Sequence, residues 1–279
     1  MSVEEYRREA LETWDTMAPG WERRTEQIDE TIGRVLEWLI AALAPQAGDV
    51  VLDLAAGPGS AGFAASPIVG DSGRVISTDF SPAMVEVAQR RSARLGLTNV
   101  EHRVMSGDRI ELEDDSVDGV LCRFGYMLMP DPAAAFAETR RVVKPGGRLA
   151  FSVWRGPERN PWLSIAGRIL VEHGHFPPPE PGAPGVFSLA DDERLRSLLA
   201  DAGFTIERLD EVGADFSYRD VDDYIAVARE TGGVFAKAWD AATEEEQLAM
   251  TAELEQRFAP FRVEAGYALT GVAACVLAT

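Results

Sequence analysis

The stretch VLDLAAGPGSAG, residues 51–62, decides the fold of this chain. A short and nearly all-apolar run, 49–55, leads into a turn in which Gly57 and Gly62 bound the spacing G-x-G-x-x-G. Such a run is typical of a central parallel strand. Glycines let the backbone pass close beneath a ligand, and the helix that follows offers free N–H groups at its N-terminus. The stretch therefore predicts a strand, a turn and a helix that bind an adenosine-bearing cofactor.

Strands and helices alternate along the chain after this turn. Further strands are predicted at 74–79, 100–105, 117–123 and 148–154. Ser81-Pro82 and Asp131-Pro132 each predict a helix start, because Ser or Asp caps free N–H groups and Pro suits the first helical position. The order predicts an α/β fold with a doubly wound, mostly parallel, seven-stranded sheet and helices on both faces.

The flanking segments are less regular. Helices are predicted over 3–44, 161–172, 189–202 (with Ser188 and Asp191 as a capping box), 221–230 and 243–257. Strands are predicted at 204–209, about 212–218 and about 266–277. A proline-rich run, Phe176 to Pro181, separates two of these helices.

The charge of the chain excludes one large class of partner. It has 46 acidic and 27 basic residues, a net charge of −19. A nucleic-acid binder needs a basic face, and an acidic surface repels anionic membranes. No stretch approaches the roughly 20 apolar residues of a membrane helix, and Cys122 and Cys275 are expected to be buried thiols. We expect a cytoplasmic protein, monomer or homodimer, with no nucleic-acid or membrane partner.

Two acidic residues indicate which cofactor the turn binds. Asp53 lies four residues before the first glycine, where it would repel the pyrophosphate of NAD but attract the ammonium and sulfonium groups of S-adenosylmethionine (SAM). Asp79 ends the second strand, where a carboxylate can accept hydrogen bonds from ribose hydroxyls. Phe80 beside it could lie against an adenine. The alternative for both acids is a structural turn ligand.

These residues resemble the class I SAM-dependent methyltransferases, particularly the ubiquinone/menaquinone-biosynthesis type and its small-molecule relatives. Four segments carry the resemblance: VLDLAAGPGSAG, DFSPAMVEVA (79–88), GDRIELEDDSVDGVLC (107–122) and RRVVKPGGRLAF (140–151). The chain departs from the common pattern at Ala56 and Pro58, where the change leaves the backbone conformation of the motif possible, and at Val117, which replaces the usual aromatic residue. The match covers about residues 50–153 and implies a Rossmann-like fold with SAM as cofactor.

The resemblance also implies roles by position. Asp53 and the backbone at Ala55, Gly57 and Gly59 would hold the methionyl part. Asp79 would hold the ribose, and Phe80 or Met84 would flank the adenine. Gly107, Asp108 and Arg109 would contact the adenine edge, and Arg123 and Phe124 would lie near the methyl donor. WDTMAPGW (14–21) resembles an N-terminal lid, so Trp14 and Trp21 could cover the cofactor or, equally, pack a helix onto the sheet.

The domain organisation follows from this resemblance. We expect an N-terminal helical lid at 1–45 and a methyltransferase domain at 46–279, with substrate-cap insertions at about 156–187 and 219–259.

Methyl transfer from a sulfonium needs alignment and exclusion of water more than acid–base chemistry. The turn CRFGY after the fourth strand lacks the N/D-P-P-Y/F pattern of amino-group methylation, which favours an O or C acceptor atom of a small aromatic or apolar metabolite. The predicted acceptor pocket consists of Tyr126, Met127, Trp154, Asn160 and Trp162, together with the 176–187 loop. His173, His175 and Tyr126 are weak candidates for a general base, and no metal is predicted.

Two other functions stay open. An NAD(P)-dependent reductase of the short-chain type would need Tyr-x-x-x-Lys, but Arg140 and Gly233 stand four residues before the two lysines, Lys144 and Lys237. A non-catalytic SAM-binding protein would carry the same cofactor motifs.

Overall fold

The computed structural model describes residues 3–178 and 182–279. Over these residues the chain forms one sheet of eight strands. The strands are β1 Val50–Leu54, β2 Arg74–Asp79, β3 Val100–Val104, β4 Val117–Arg123, β5 Val143–Trp154, β6 Ile206–Tyr218, β7 Arg262–Val263 and β8 Gly266–Ala278. The α-helices are α1 Val3–Thr31, α2 Gly33–Leu43, α3 Ser60–Val69, α4 Pro82–Arg94, α5 Pro132–Val142, α6 Pro161–Glu172, α7 Asp192–Asp201, α8 Val221–Thr231, α9 Gly233–Ala241 and α10 Glu244–Phe258.

The strand order is β3-β2-β1-β4-β5-β8-β6, with the two-residue β7 paired to β8. The first five strands in this order are parallel, and β8 lies antiparallel between β5 and β6. The predicted α/β class and doubly wound, mostly parallel sheet are confirmed. β7 adds one strand to the predicted seven.

The far side of the sheet differs from the sequence prediction. The two predicted strands at 204–209 and 212–218 form one strand, β6, because β8 pairs with it continuously from Leu209 to Tyr218. This ladder of hydrogen bonds includes Asp210 and Glu211, the two residues between the predicted strands. α9 was not predicted as a helix of its own.

The predicted capping box of α7 is wrong. Asp191 alone caps the helix, since its carboxylate accepts from the N–H of Arg194 at 2.7 Å. Ser188 instead donates its hydroxyl to the carbonyl oxygen of Met127 at 2.6 Å, and so ties the loop before α7 to the chain after β4. Residues 179–181 of the proline-rich run lie outside the described residues.

The N-terminal helices have separate roles. α2 packs on the sheet, where Val35, Leu39 and Leu43 are part of the main core. α1 instead lies against α4 and α8. It approaches α8 so closely at Gly20 that a Cβ there would come within 2.1 Å of the Glu230 carbonyl oxygen. Only α1 is therefore placed as a lid could be.

A second core lies beside the far strands. It joins α6, α8, α9 and α10 with the Tyr218 end of β6 and the Tyr267 end of β8. No helix among the described residues is long and apolar enough to cross a membrane.

Candidate functional site

β1 and β4 are neighbours in the sheet. From β1 the chain continues toward one edge of the sheet, through β2 and β3, and from β4 it continues toward the other edge. In open α/β sheets, ligands bind outside the carboxyl ends of the strands at such a point. Ala55 follows β1 with φ +54°, and Phe124 follows β4 with φ +62°. Each left-handed non-glycine residue costs about 1–2 kcal/mol. Two of the four non-glycine residues with positive φ among the described residues therefore follow the two strands at this point.

The glycine-rich loop is held in place by its own amides. Gly57 and Gly59 both have positive φ, and a Cβ at Gly59 would meet the Phe63 ring at 2.3 Å. The N–H of Gly57 donates to Asp79, and that of Gly59 to the Ala56 carbonyl oxygen at 2.9 Å. The carbonyl oxygens of Ala56 and Gly59 each accept one backbone hydrogen bond, and because a carbonyl oxygen has two lone pairs it can also accept from an ammonium group.

Asp53 lies below the loop, and only one of its two carboxylate oxygens has a hydrogen-bond partner. The residue is 1% exposed. Its Oδ2 accepts from the Gly62 N–H at 2.6 Å, whereas Oδ1 is buried without a hydrogen-bond partner. Burial raises the pKa of this carboxyl to about 7, although the Gly62 N–H and Arg123 favour the ionised form. A buried acceptor without a donor fits a cofactor that carries an ammonium group.

Asp79 links the loop to the start of α4. Its two oxygens accept from the N–H groups of Gly57 at 2.9 Å and Ser81 at 3.0 Å. Burial raises its pKa to about 6 against these hydrogen bonds. The charge of Asp79 also raises the pKa of Asp53, so the two carboxyls share one environment. Two carboxyl groups this close together suit a nucleoside that carries positive charge and no phosphate.

The expected adenine end is covered by α1. Asp108 accepts from the Ser106 hydroxyl at 2.6 Å and from the Arg7 guanidinium. Gly107 is buried against the Met129 thioether, and Arg109 is exposed. The Arg109 N–H donates to the Ser106 carbonyl oxygen at 3.3 Å.

Met84 is placed differently from Phe80. Met84 is fully buried in a small cluster with Ala18 and the half-buried Trp14 and Trp21 of α1. It cannot flank an adenine in this arrangement, because α1 covers it, whereas Phe80 stays half-buried. The two tryptophan rings lie 5.8 Å apart, and the Trp21 Nε1–H donates to the Thr231 carbonyl oxygen at 3.0 Å. They fasten α1 to α4 and α8.

Three predicted acceptor residues prove to be structural. Tyr126 is fully buried, with its hydroxyl 2.7 Å from the Thr139 hydroxyl and its ring stacked on Phe136, which also removes it as a base. Met127 is buried in the main core. Asn160 is fully buried and all of its polar atoms are used, since Oδ1 accepts from Trp162 and Val272 and Nδ2 donates to three carbonyl oxygens.

The remaining predicted acceptor residues form an aromatic ladder. Phe124 stacks on Trp154 at 4.1 Å, Trp154 meets Trp162 at 5.3 Å, and Trp162 stacks on Phe216 at 4.0 Å. Trp162 and Phe216 touch both hydrophobic cores. A Cβ at Gly271 of β8 would come within 2.8 Å of the Trp162 ring, so glycine lets the ladder lie directly on the sheet.

Neither remaining histidine lies in this region. His173 and His175 follow α6 and face α10, with Nε2 atoms 3.0 Å from Glu253 and 3.6 Å from Glu246. Their pairing with α10 explains their position better than a catalytic role.

Several residues of the cleft were missed from the sequence. Phe216 lies between the polar residues Asp215 and Ser217 of β6, and Arg7, Asp29 and Arg91 lie in charged helices where they look like solvated side chains. No local pattern distinguishes them from their neighbours.

Comparisons with known proteins agree with this geometry. Residues 35–158 match the ubiE/COQ5 methyltransferase family. A demethylmenaquinone methyltransferase of Clavibacter sepedonicus is 35% identical over 130 residues, 46% of this chain and 51% of that protein. An aklanonic acid methyltransferase of Streptomyces sp. is 28% identical over 182 residues, 62% of this chain and 80% of that protein. The chain thus spans about half the length of the first of these relatives.

The solved structures extend the likeness in fold to more of the chain. A methyltransferase structure from Bacillus halodurans covers 87% of this chain and 97% of its own, with a TM-score of 0.62 and 22% identity. At that identity the likeness concerns the fold alone. Segment 35–158, which contains the glycine-rich loop and the paired acids, thus matches the ubiE/COQ5 methyltransferase family, and the fold is similar to that of the solved methyltransferase structure.

Proposed function

We propose that this protein transfers a methyl group from SAM to an oxygen or carbon atom of a small, flat, aromatic or apolar metabolite. The observation that carries the proposal is the arrangement at the β1–β4 switch point, where β1 carries the buried Asp53 oxygen that has no hydrogen-bond partner and Phe124, after β4, begins the aromatic ladder. Phe124 belongs to both parts, because it follows β4 and stacks on Trp154.

Different residues of the site would hold different parts of the cofactor. Asp53 and the loop carbonyls would hold the amino-acid end of the cofactor, Asp79 the ribose, and Phe80 and Asp108 the adenine. The cofactor supplies an electrophilic methyl group on a sulfonium, so the chain need only align the acceptor and exclude water. The half-buried rings of Phe124, Trp162 and Phe216 offer apolar surface for that alignment, whereas Trp154 is itself buried. Such an acceptor is supported by two relatives, which are named as methyltransferases of demethylmenaquinone and of aklanonic acid.

The same reasoning assigns the flanking segments. α1 would cover the cofactor, and the segments 156–187 and 219–259 would cap the acceptor beside the second core. Ligand sites occur preferentially at such boundaries between packed units.

Binding measurements separate this function from its rivals. We expect titration calorimetry to show micromolar-range binding of SAM and S-adenosylhomocysteine and no binding of NADH. Binding of NADH without SAM would identify an oxidoreductase instead. Transfer of labelled methyl from SAM to members of a panel of hydroxylated aromatic compounds tests catalysis, and SAM binding with no transfer to any of them would favour a non-catalytic protein.

The ladder predicts a separate effect on the acceptor. Phe216→Ala removes one stacking face and should raise the acceptor KM about fivefold, since an aromatic contact contributes on the order of 1 kcal/mol. The affinity for SAM, measured by calorimetry, should not change. Phe216→Leu, which keeps the apolar bulk without the ring, should show a smaller effect. An unchanged acceptor KM in Phe216→Ala would remove the ladder from the acceptor site.

A further inference from the structure

Two arginines converge on one carboxylate beside the glycine-rich loop. Arg123, at the end of β4, donates from Nη1 to Oδ1 of Asp29 at 3.0 Å. Arg91 of α4 reaches Oδ2 of Asp29 at 3.5 Å from its Nη2. The two guanidinium groups are 9% and 13% exposed. In a chain of net charge −19, a half-buried pair of cations that shares a single anion is an unusual local excess of positive charge.

The loop itself supplies the other contacts of this cluster. The Ser60 hydroxyl, at the first residue of α3, donates to Oδ2 of Asp29 at 2.7 Å. Arg91 also contacts Ser60 at 3.2 Å and the Pro58 carbonyl oxygen. Both oxygens of Asp29 are thus held by donors from three different elements, in the way a site holds a bound carboxylate.

Asp29 comes from a helix on which its charge is unfavourable. It lies in the last turn of α1, which has no basic residue. A negative charge at a helix C-terminus opposes the helix dipole and costs about 0.3–1 kcal/mol. Asp29 is also 27% exposed, so its carboxylate can leave the cluster without crossing the core.

The cluster lies next to the group assigned to the ammonium. Asp53 pairs with Leu121 of β4 in the sheet, two residues before Arg123. Arg123 is close enough to lower the pKa of Asp53, against the raising effect of burial. A buried acceptor oxygen and two guanidinium groups therefore lie close to the same loop, as the two charges of an amino acid require.

From these contacts we propose that Arg91, Arg123 and Ser60 form the binding site for the carboxylate of the cofactor's amino-acid end, and that Asp29 occupies it as an internal carboxylate. The proposal rests on the proposed function. Cofactor binding then exchanges one carboxylate for another and frees the C-terminal turn of α1. The apparent affinity is lowered by the fraction of molecules in which Asp29 holds the site.

Two ligands that differ only in the carboxylate test the site: SAM and decarboxylated SAM. Calorimetry on the full chain should show that Asp29→Asn binds SAM about fivefold to tenfold more tightly than the wild type, while decarboxylated SAM gains nothing. Arg91→Met should weaken SAM about tenfold and leave decarboxylated SAM unchanged. Glu30→Gln, an exposed carboxylate one residue away on the same turn, serves as the control and should change neither.

The outcomes separate this proposal from the function. Equal affinity of wild type for the two ligands would overturn the carboxylate site and leave the methyltransferase proposal standing. Weakening of both ligands by Asp29→Asn, with an unchanged melting temperature, would assign Asp29 to support of the cleft and overturn the exchange. Failure of the wild type to bind either ligand would overturn both proposals together.

Discussion

Asp79→Ala is expected to lower both the stability of the protein and its affinity for SAM. The carboxylate accepts from the N–H groups of Gly57, which is half-buried in the loop, and of Ser81, which is buried. Each buried donor left without an acceptor costs about 1–3 kcal/mol, so the free energy of unfolding should fall by about 2–4 kcal/mol. Loss of the ribose acceptor should weaken SAM by about 1–3 kcal/mol in addition.

Urea unfolding and calorimetry measure these two effects. Asp79→Asn keeps one acceptor oxygen, so its loss of stability should be about half as large. Asp71→Ala changes an exposed aspartate in the turn before β2 and should alter neither quantity. Unchanged SAM affinity in a folded Asp79→Ala protein would remove Asp79 from the cofactor site.

Asp53→Asn should stabilise the ligand-free protein at pH 8 while weakening its binding of SAM. Burial raises the pKa of Asp53 to about 7, against 3.8 for the free side chain, so the folded state holds the proton more tightly than the unfolded chain. Its contribution to stability is complete below about pH 4 and is lost as the pH rises to about 7. A shift of about three pKa units corresponds to about 4 kcal/mol, of which we expect the variant to recover about 2–4 kcal/mol.

The difference in stability between variant and wild type isolates this carboxyl from all the others. It should be close to zero at pH 4 and grow through pH 7 in urea unfolding experiments. Asp118→Asn provides a control of opposite sign, because Lys144 and the Val50 N–H lower the pKa of Asp118 although burial opposes them. Its loss of stability should be largest at neutral pH. A difference for Asp53→Asn that does not vary with pH would show that the carboxyl stays ionised throughout.

Local chemistry determined the first half of the fold. The apolar runs of β1 and β4 predict buried parallel strands because both faces of such a strand are covered. Asp131 caps α5 and Ser81 caps α4 as their sequences indicate, since a cap needs only the residues of one turn. The acids at the ends of β1 and β2 were placed correctly for the same reason, because the strand carries them to the carboxyl edge of the sheet.

The tertiary structure alone decided what these and other side chains touch. Tyr126 and Trp154 look alike as aromatic residues near strand ends, yet one is enclosed by Thr139 and Phe136 and the other opens the ladder. Asp29 meets Arg123, which lies 94 positions further along the chain, only because α1 runs across the ends of the strands. Sequence periodicity determines whether a segment forms a helix or a strand and which of its faces is apolar. Partners from distant elements are set by how those elements pack, which no short stretch of the chain encodes.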